Sequence, residues 1–182
     1  MAICLLNQDA LKTTQCGYSL AEIVRIYLAN FDEVSATTLA TGASGQSVAT
    51  ITMAEGKKFY KIDPARNSAT WTDELVTTDA GSKYRTHTIN FNIGASLTPD
   101  MADIIDALSL GKYIAVIQKS DGSYAMLGRL TGVEASVVTM GGSSDDSVFN
   151  GAQVTLTANT NEVALPLEAT AIATVTGQVV NP

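Results

Sequence analysis

The chain has 182 residues, 46% of them hydrophobic, with 11 basic and 18 acidic side chains and a formal charge of −7. That length suits a single domain spanning 1–182 with a real core, and the apolar content excludes a chain disordered throughout. The acidic balance argues against phosphate-dependent nucleic-acid binding, and no apolar run approaches the roughly 20 residues that cross a bilayer.

The start Met1-Ala-Ile-Cys-Leu-Leu lacks a basic leader and its apolar part is too short for a secretory signal, so synthesis and assembly in a cytoplasm are expected. Cys4 and Cys16 show no CxxC spacing and read as free thiols of a reducing compartment, a disulfide between them being open but unforced. Residues 19–30 admit two readings. Ser19 with Glu22 matches a capping box ahead of Leu20, Ile23, Val24 and Tyr27 at helical spacing, whereas Ile23-Val24-Arg25-Ile26-Tyr27-Leu28 has the β-branched and aromatic density of a strand. Strand is preferred. Residues 32–46, dominated by Ser, Thr, Ala and Gly without apolar period, read as a loop.

Strands are expected at 47–53 and 57–62, followed by a long β-hairpin over about 66–93. Its first arm is Thr-rich, Asp79-Ala80-Gly81-Ser82 breaks it, and Ile89, Phe91 and Ile93 alternate with Asn90 and Asn92 in the return. Arms of about ten residues exceed the usual strand of five or six, so much of the hairpin is expected to project and to need a partner for its edge. One helix is expected at about 98–110. Thr98 caps it, Pro99 takes the first position, Asp100 and Asp103 favour the positive end of the dipole, and Gly111 stops it. Met101, Ile104, Ile105 and Leu108 form the stripe expected to dock on the sheet. Further strands are read at 113–118, 124–130, 133–140 and 152–158, the first two joined by Ser120-Asp121-Gly122-Ser123. The run 165–182, rich in Ala, Thr and Val, reads as a last strand or an arm. The fold class expected is mainly β: an antiparallel β-sandwich or barrel with one flanking helix and a projecting hairpin.

Little chemistry is encoded. His87 is the only histidine, and its place in an alternating hairpin arm favours a packing or interface role over catalysis. Asp145-Asp146 lack the alternating oxygen ligands of a hard-cation loop. Asp100, Asp103 and Asp106 are the polar face of the helix, and Trp71 and Tyr84 lack the basic groove that base stacking needs. Neither a P-loop nor a G-x-G-x-x-G nor a G-x-S-x-G is present. No enzyme and no cofactor or metal is expected. After Arg129 no Lys or Arg occurs, yet Glu134, Asp145, Asp146, Glu162 and Glu168 follow, so one surface is expected to be acidic; its bland reading is a solvated face.

The segments Cys16-Gly17, Ile26-Tyr27-Leu28-Ala29-Asn30-Phe31, Lys58-Phe59-Tyr60-Lys61-Ile62 and Thr88-Ile89-Asn90-Phe91 are followed along the chain by Lys112-Tyr-Ile-Ala-Val-Ile-Gln-Lys-Ser-Asp-Gly-Ser-Tyr-Ala-Met-Leu-Gly128, Gly132-Val133-Glu134 and Asn150-Gly151-Ala-Gln-Val-Thr-Leu-Thr157. This layout resembles phage tail tube proteins, among the small virion proteins of Bacteroidetes-infecting phages. The resemblance implies a β-sandwich with one flanking helix that forms hexameric rings around a lumen, stacked through a long hairpin. On that reading 66–93 is the stacking hairpin, with Trp71, Asp73, Glu74, Lys83, Tyr84, Arg85 and His87 as inter-ring candidates. Glu134, Asp145, Asp146, Glu162 and Glu168 become candidate lumen acids that let DNA pass without specific binding, and the terminal arms become candidates for contacts between subunits. The implied partners are further copies of the chain and tail proteins such as a tape measure, a terminator, and a baseplate or sheath, all in a virion tail. Alternatives are a head–tail connector or baseplate ring, a capsid decoration protein and, from another class, a carbohydrate-binding β-sandwich module.

Overall fold

A computed structural model describes residues 23–42, 45–65, 67–94, 98–141 and 151–177. In chain order its elements are β1 (Ile23–Asn30), a single 3-10 turn (Phe31–Glu33), β2 (Val34–Gly42), β3 (Gly45–Met53), β4 (Tyr60–Ile62), β5 (Thr70–Thr77), β6 (Lys83–Ile93), α1 (Pro99–Leu110), β7 (Lys112–Lys119), β8 (Tyr124–Leu127), β9 (Val133–Gly141), β10 (Gly151–Thr160), β11 (Leu165–Pro166) and α2 (Ala169–Gly177). The protein is mainly β, with antiparallel strand pairs and no closed barrel. Cys4, Cys16 and the Asp145-Asp146 loop lie outside the described residues.

The apolar run Tyr113-Ile-Ala-Val-Ile117 dictates the architecture. All five side chains are buried, and successive residues of a strand face opposite ways, so β7 must be covered on both sides. Tyr113, Ala115 and Ile117 join Ile26 and Leu28 of β1, Ala125 and Leu127 of β8, Ile89 and Phe91 of β6, and Val154 and Leu156 of β10 in one core. Ile114 and Val116 point the other way, into a second core with Tyr27, Ala29, Phe59, Met126, Val48 and Ile51 of β3, and Ala171 and Val175 of α2. The ladder β4–β1–β7–β8–β11 is therefore a middle layer. Strand β9 meets β7 only at Lys112↔Glu134 and Tyr113↔Val133, then runs on to pair with β10, carrying the sheet into the outer layer β9–β10–β6–β5.

This arrangement decides between the two readings of 23–30. Ile26 to Ala29 are buried on alternating faces of β1, which a strand permits and a one-stripe helix does not; residues 19–22 lie outside the described residues. The loop expected at 32–46 is corrected: 34–42 form β2, paired with β3 from Val34↔Met53 to Gly42↔Gly45 in a separate two-stranded sheet. Its Thr-rich composition fits a pleated surface, and the Thr38 and Thr50 hydroxyls meet at 2.6 Å across it. The C-terminal run is corrected too. Beyond the short β11 it forms a second helix, α2, whose Ala171 and Val175, one turn apart, close the second core over β3. The Glu168 amide anchors its start on the Val48 carbonyl at 2.9 Å.

α1 begins and ends as its capping residues dictate. The Thr98 side chain accepts the Met101 amide at 3.3 Å, Pro99 opens the helix and the Gly111 amide returns to Ala107. A Cβ at Gly111 would overlap the Tyr113 ring, whose hydroxyl donates to the Ala107 carbonyl. The docking stripe, however, is shorter than its spacing suggests. Leu108 is 5% exposed, but Ile104 is 44% exposed and Leu110 lies in solvent, because α1 packs against β9 and reaches the core only with its last turns. Ile104→Asp is accordingly expected to shift the unfolding free energy by no more than about 0.5 kcal/mol. Leu108→Asp should remove soluble folded protein, since an unpaired buried carboxylate costs several kcal/mol; a urea unfolding curve of each variant checks the pair.

The hairpin expected over 66–93 is β5 with β6, in register from Thr70↔Asn90 to Thr77↔Lys83 and closed by the Thr78–Ser82 turn. Its reach is corrected. β6 pairs on its other side with β10 from Arg85↔Thr160 to Ile93↔Ala152, so only the end of the hairpin, 76–84, clears the neighbouring strand. Among the described residues no helix is long and apolar enough to cross a membrane.

Candidate assembly surface

Strand β5 ends the outer layer, and among the described residues nothing pairs with its free edge. Alternate residues of this eight-residue strand turn their N–H and C=O groups outward, and the strand holds no Lys, Arg or Pro; its charges are Glu74 and the inward-turned Asp73. Leu75, 58% exposed, adds an apolar contact at the same rim.

The outward face of this layer is equally distinctive. Register places Val137 of β9, Thr155 of β10, Asn90 of β6 and Thr70 of β5 in one row, with Thr157, Thr88 and Thr72 in the next. Thr155 Oγ1 donates to Asn90 Oδ1 at 2.7 Å, Asn90 Nδ2 donates to Thr70 Oγ1 at 3.4 Å, and Thr86 Oγ1 donates to Asn159 Oδ1 at 3.0 Å. The side chains satisfy one another across strands. Charge is confined to the margins, to Glu74 on β5 and to Glu134, which pairs with Lys112 at 3.3 Å. A neighbouring surface can therefore meet the middle of this face without desolvating an ion.

Beneath the edge lies a buried polar cluster. Asp73 of β5 points inward, its side chain only 8% exposed. Its Oδ1 accepts Arg85 Nε at 2.6 Å and its Oδ2 accepts the Ala164 amide at 2.9 Å. Burial alone would raise the Asp73 carboxyl; the Arg85 and Ala164 hydrogen bonds, with the nearby His87 ring, hold it below its ordinary value instead. His87 accepts the Gly128 amide on Nδ1 at 3.2 Å. Gly128 stands at φ +69, and a Cβ there would come within 2.8 Å of the Val133 nitrogen, so this corner requires glycine. Next to it Arg129 clamps Glu162 with Nε at 2.8 Å and Nη2 at 2.6 Å, and its Nη1 donates to Thr37 of β2 at 3.2 Å.

The residues singled out in the sequence divide accordingly. Of the inter-ring candidates, Glu74, Lys83 and Tyr84 have exposed or half-exposed side chains. Asp73, Arg85 and His87 belong to the inward cluster, and Trp71 packs partly against the core with Lys119 Nζ 5.3 Å above its ring. The candidate lumen acids are not brought together: Glu134 is on β9, Glu162 is committed to Arg129, and Glu168 accepts Ser47 Oγ at 2.6 Å at the foot of α2. Asp145 and Asp146 lie outside the described residues. The Arg129–Glu162 pair and the Gly128 contact carried no signal in the sequence, because their partners lie 33 and 41 residues apart. Among the described residues no three His, Cys, Asp or Glu converge as a metal site. Comparison of the chain with protein-family models, with curated proteins and with solved structures finds no match.

Proposed function

We propose that this protein is a non-enzymatic virion subunit that assembles with copies of itself, and that its assembly is the tail tube through which a phage genome is delivered. The observation that carries the reading is the open edge of β5 beside a self-satisfied Thr/Asn face that is charged only at its margins. A strand of that length left bare invites main-chain pairing with another chain. The layout that resembles tail tube proteins supplies the particular assembly: stacked rings, contacts to a tape measure, a terminator and a baseplate or sheath, and DNA that passes without a specific site.

Negative-stain microscopy of the purified protein tests the assembly, since tubes, isolated rings and monomers correspond to the tube, to a connector or decoration role, and to a binding module. Thr72→Lys with Leu75→Lys places two cations along the edge without touching the core. The double variant is expected to stay folded by circular dichroism and to sediment as a monomer. A parent protein that stays monomeric at high concentration sinks the self-assembly reading, and a double variant that assembles like the parent removes β5 from it.

A further inference from the structure

His87, the single histidine of the chain, is 2% exposed at the meeting point of four segments. Because Nδ1 accepts the Gly128 amide, the neutral ring carries its proton on Nε2. That N–H faces Asp73 Oδ1 across 3.5 Å and makes no hydrogen bond of good geometry among the described residues. The charged groups around the ring are Asp73 from β5, Arg85 from β6 and Glu162 from the segment after β10, the last held by Arg129 of the β8–β9 turn.

We infer that His87 is an acid-sensitive latch whose protonation expels the Gly128 amide and frees the edge strand β5 and the 161–164 segment together. A second ring proton turns Nδ1 from acceptor to donor, so two N–H groups would confront each other inside the protein. Asp73, 3.5 Å away, attracts the cation, but its two oxygens already serve Arg85 and the Ala164 amide, and Arg85 repels it. Burial holds the imidazole below its ordinary range, outweighing the attraction of Asp73 and the backbone and charge of Glu162, which favour the cation. The sign follows from linkage. The latched form binds a proton less readily than the released one, so its stability is complete above about pH 6.5 and is lost as pH falls toward the depressed value. What links β5 to 161–164 is Asp73 itself, which holds Ala164 from one side while its strand carries the free edge. The latch stands independently of the assembly reading, since it concerns the subunit's own packing.

The test uses the full chain, labelled for NMR, with the His87 ring titrated alongside amide exchange at Gly128, Ala164 and Ile117. His87 is expected to titrate below about 6.5. Protection factors, corrected for intrinsic exchange, should fall together at Gly128 and Ala164 by up to about tenfold per pH unit in that window, while Ile117 in the middle layer keeps its protection. His87→Gln offers Gly128 an acceptor but no titration and should give a flat profile. Asp73→Asn keeps an acceptor for Ala164 while removing the charge that favours the cation, so the latched ring binds its proton still less readily and the fall, again beginning near about pH 6.5, should be at least as large at each pH and extend further. An ordinary His87 titration, pH-independent protection in the parent, the same fall in His87→Gln, or a fall shared equally by Ile117 would each overturn the latch.

Discussion

Phe91→Ala is expected to lower the unfolding free energy by about 3–5 kcal/mol and the melting temperature by on the order of 10 °C. Phe91 is fully buried in β6, opposite Val154 of β10, in the core that joins the outer layer to Ile26, Ala115 and Ile117 of the middle one. Truncation there removes a ring from between two sheets that are otherwise tied through β9, and the sheets cannot close on the vacancy without shifting that shared strand. Thr88→Ala, on the opposite face of the same strand, is the control and should stay within about 0.5 kcal/mol. Urea denaturation of both variants measures the difference. A Phe91→Ala loss under about 1 kcal/mol would mean that the two layers are not packed through this residue.

What was legible in the sequence is what local chemistry determines. The alternation of Ile89, Phe91 and Ile93 placed one face of β6 inward, and the turn at 120–123 is held by Asp121 Oδ1 accepting the Ser123 amide at 2.8 Å with Gly122 at φ +82. The caps of α1 stood where Thr98, Pro99 and Gly111 put them. Depth was harder to read. The run Tyr113 to Ile117 carries the mark of a strand buried on both faces, yet a two-layer sandwich with one helix leaves its second face without a cover. That cover is α2 with β3, hidden because Thr, Ile and Val in 169–177 lower helix propensity while the packing of Ala171 and Val175 overrides it. Strand β2 was hidden for the converse reason, since it is the exposed strand of its ribbon and shows no apolar alternation, whereas β3 buries Val48 and Ile51. The α1 stripe was real as a pattern, but a helix packed on one strand at the end of a sheet buries less than a helix laid across it. The polar cluster was least legible of all, because each partner comes from a different segment and only the fold brings them together.

Arg129→Ala is expected to destabilise the protein by about 1–3 kcal/mol, the cost of leaving a partly buried hydrogen-bonded group without its partner. The pair is partly buried, with side-chain exposures of 16% for Arg129 and 13% for Glu162, so removing the guanidinium leaves a carboxylate with only limited access to water. Fork geometry sharpens the effect, because two oxygens of Glu162 lose their donors at once and Thr37 of β2 loses the bond it accepts from Arg129 Nη1. The pair itself is a separate matter from its rupture: desolvating both ions offsets most of their attraction. Arg129→Met combined with Glu162→Leu should therefore recover most of the loss, and the double variant should be more stable than Arg129→Ala alone. A double-mutant cycle through Arg129→Ala, Glu162→Ala and both, followed by urea denaturation, isolates the coupling. If Arg129→Ala costs less than about 1 kcal/mol, the pair behaves as an exposed one, and the segment after β10 is not tied to the β8–β9 turn in the way the distances indicate.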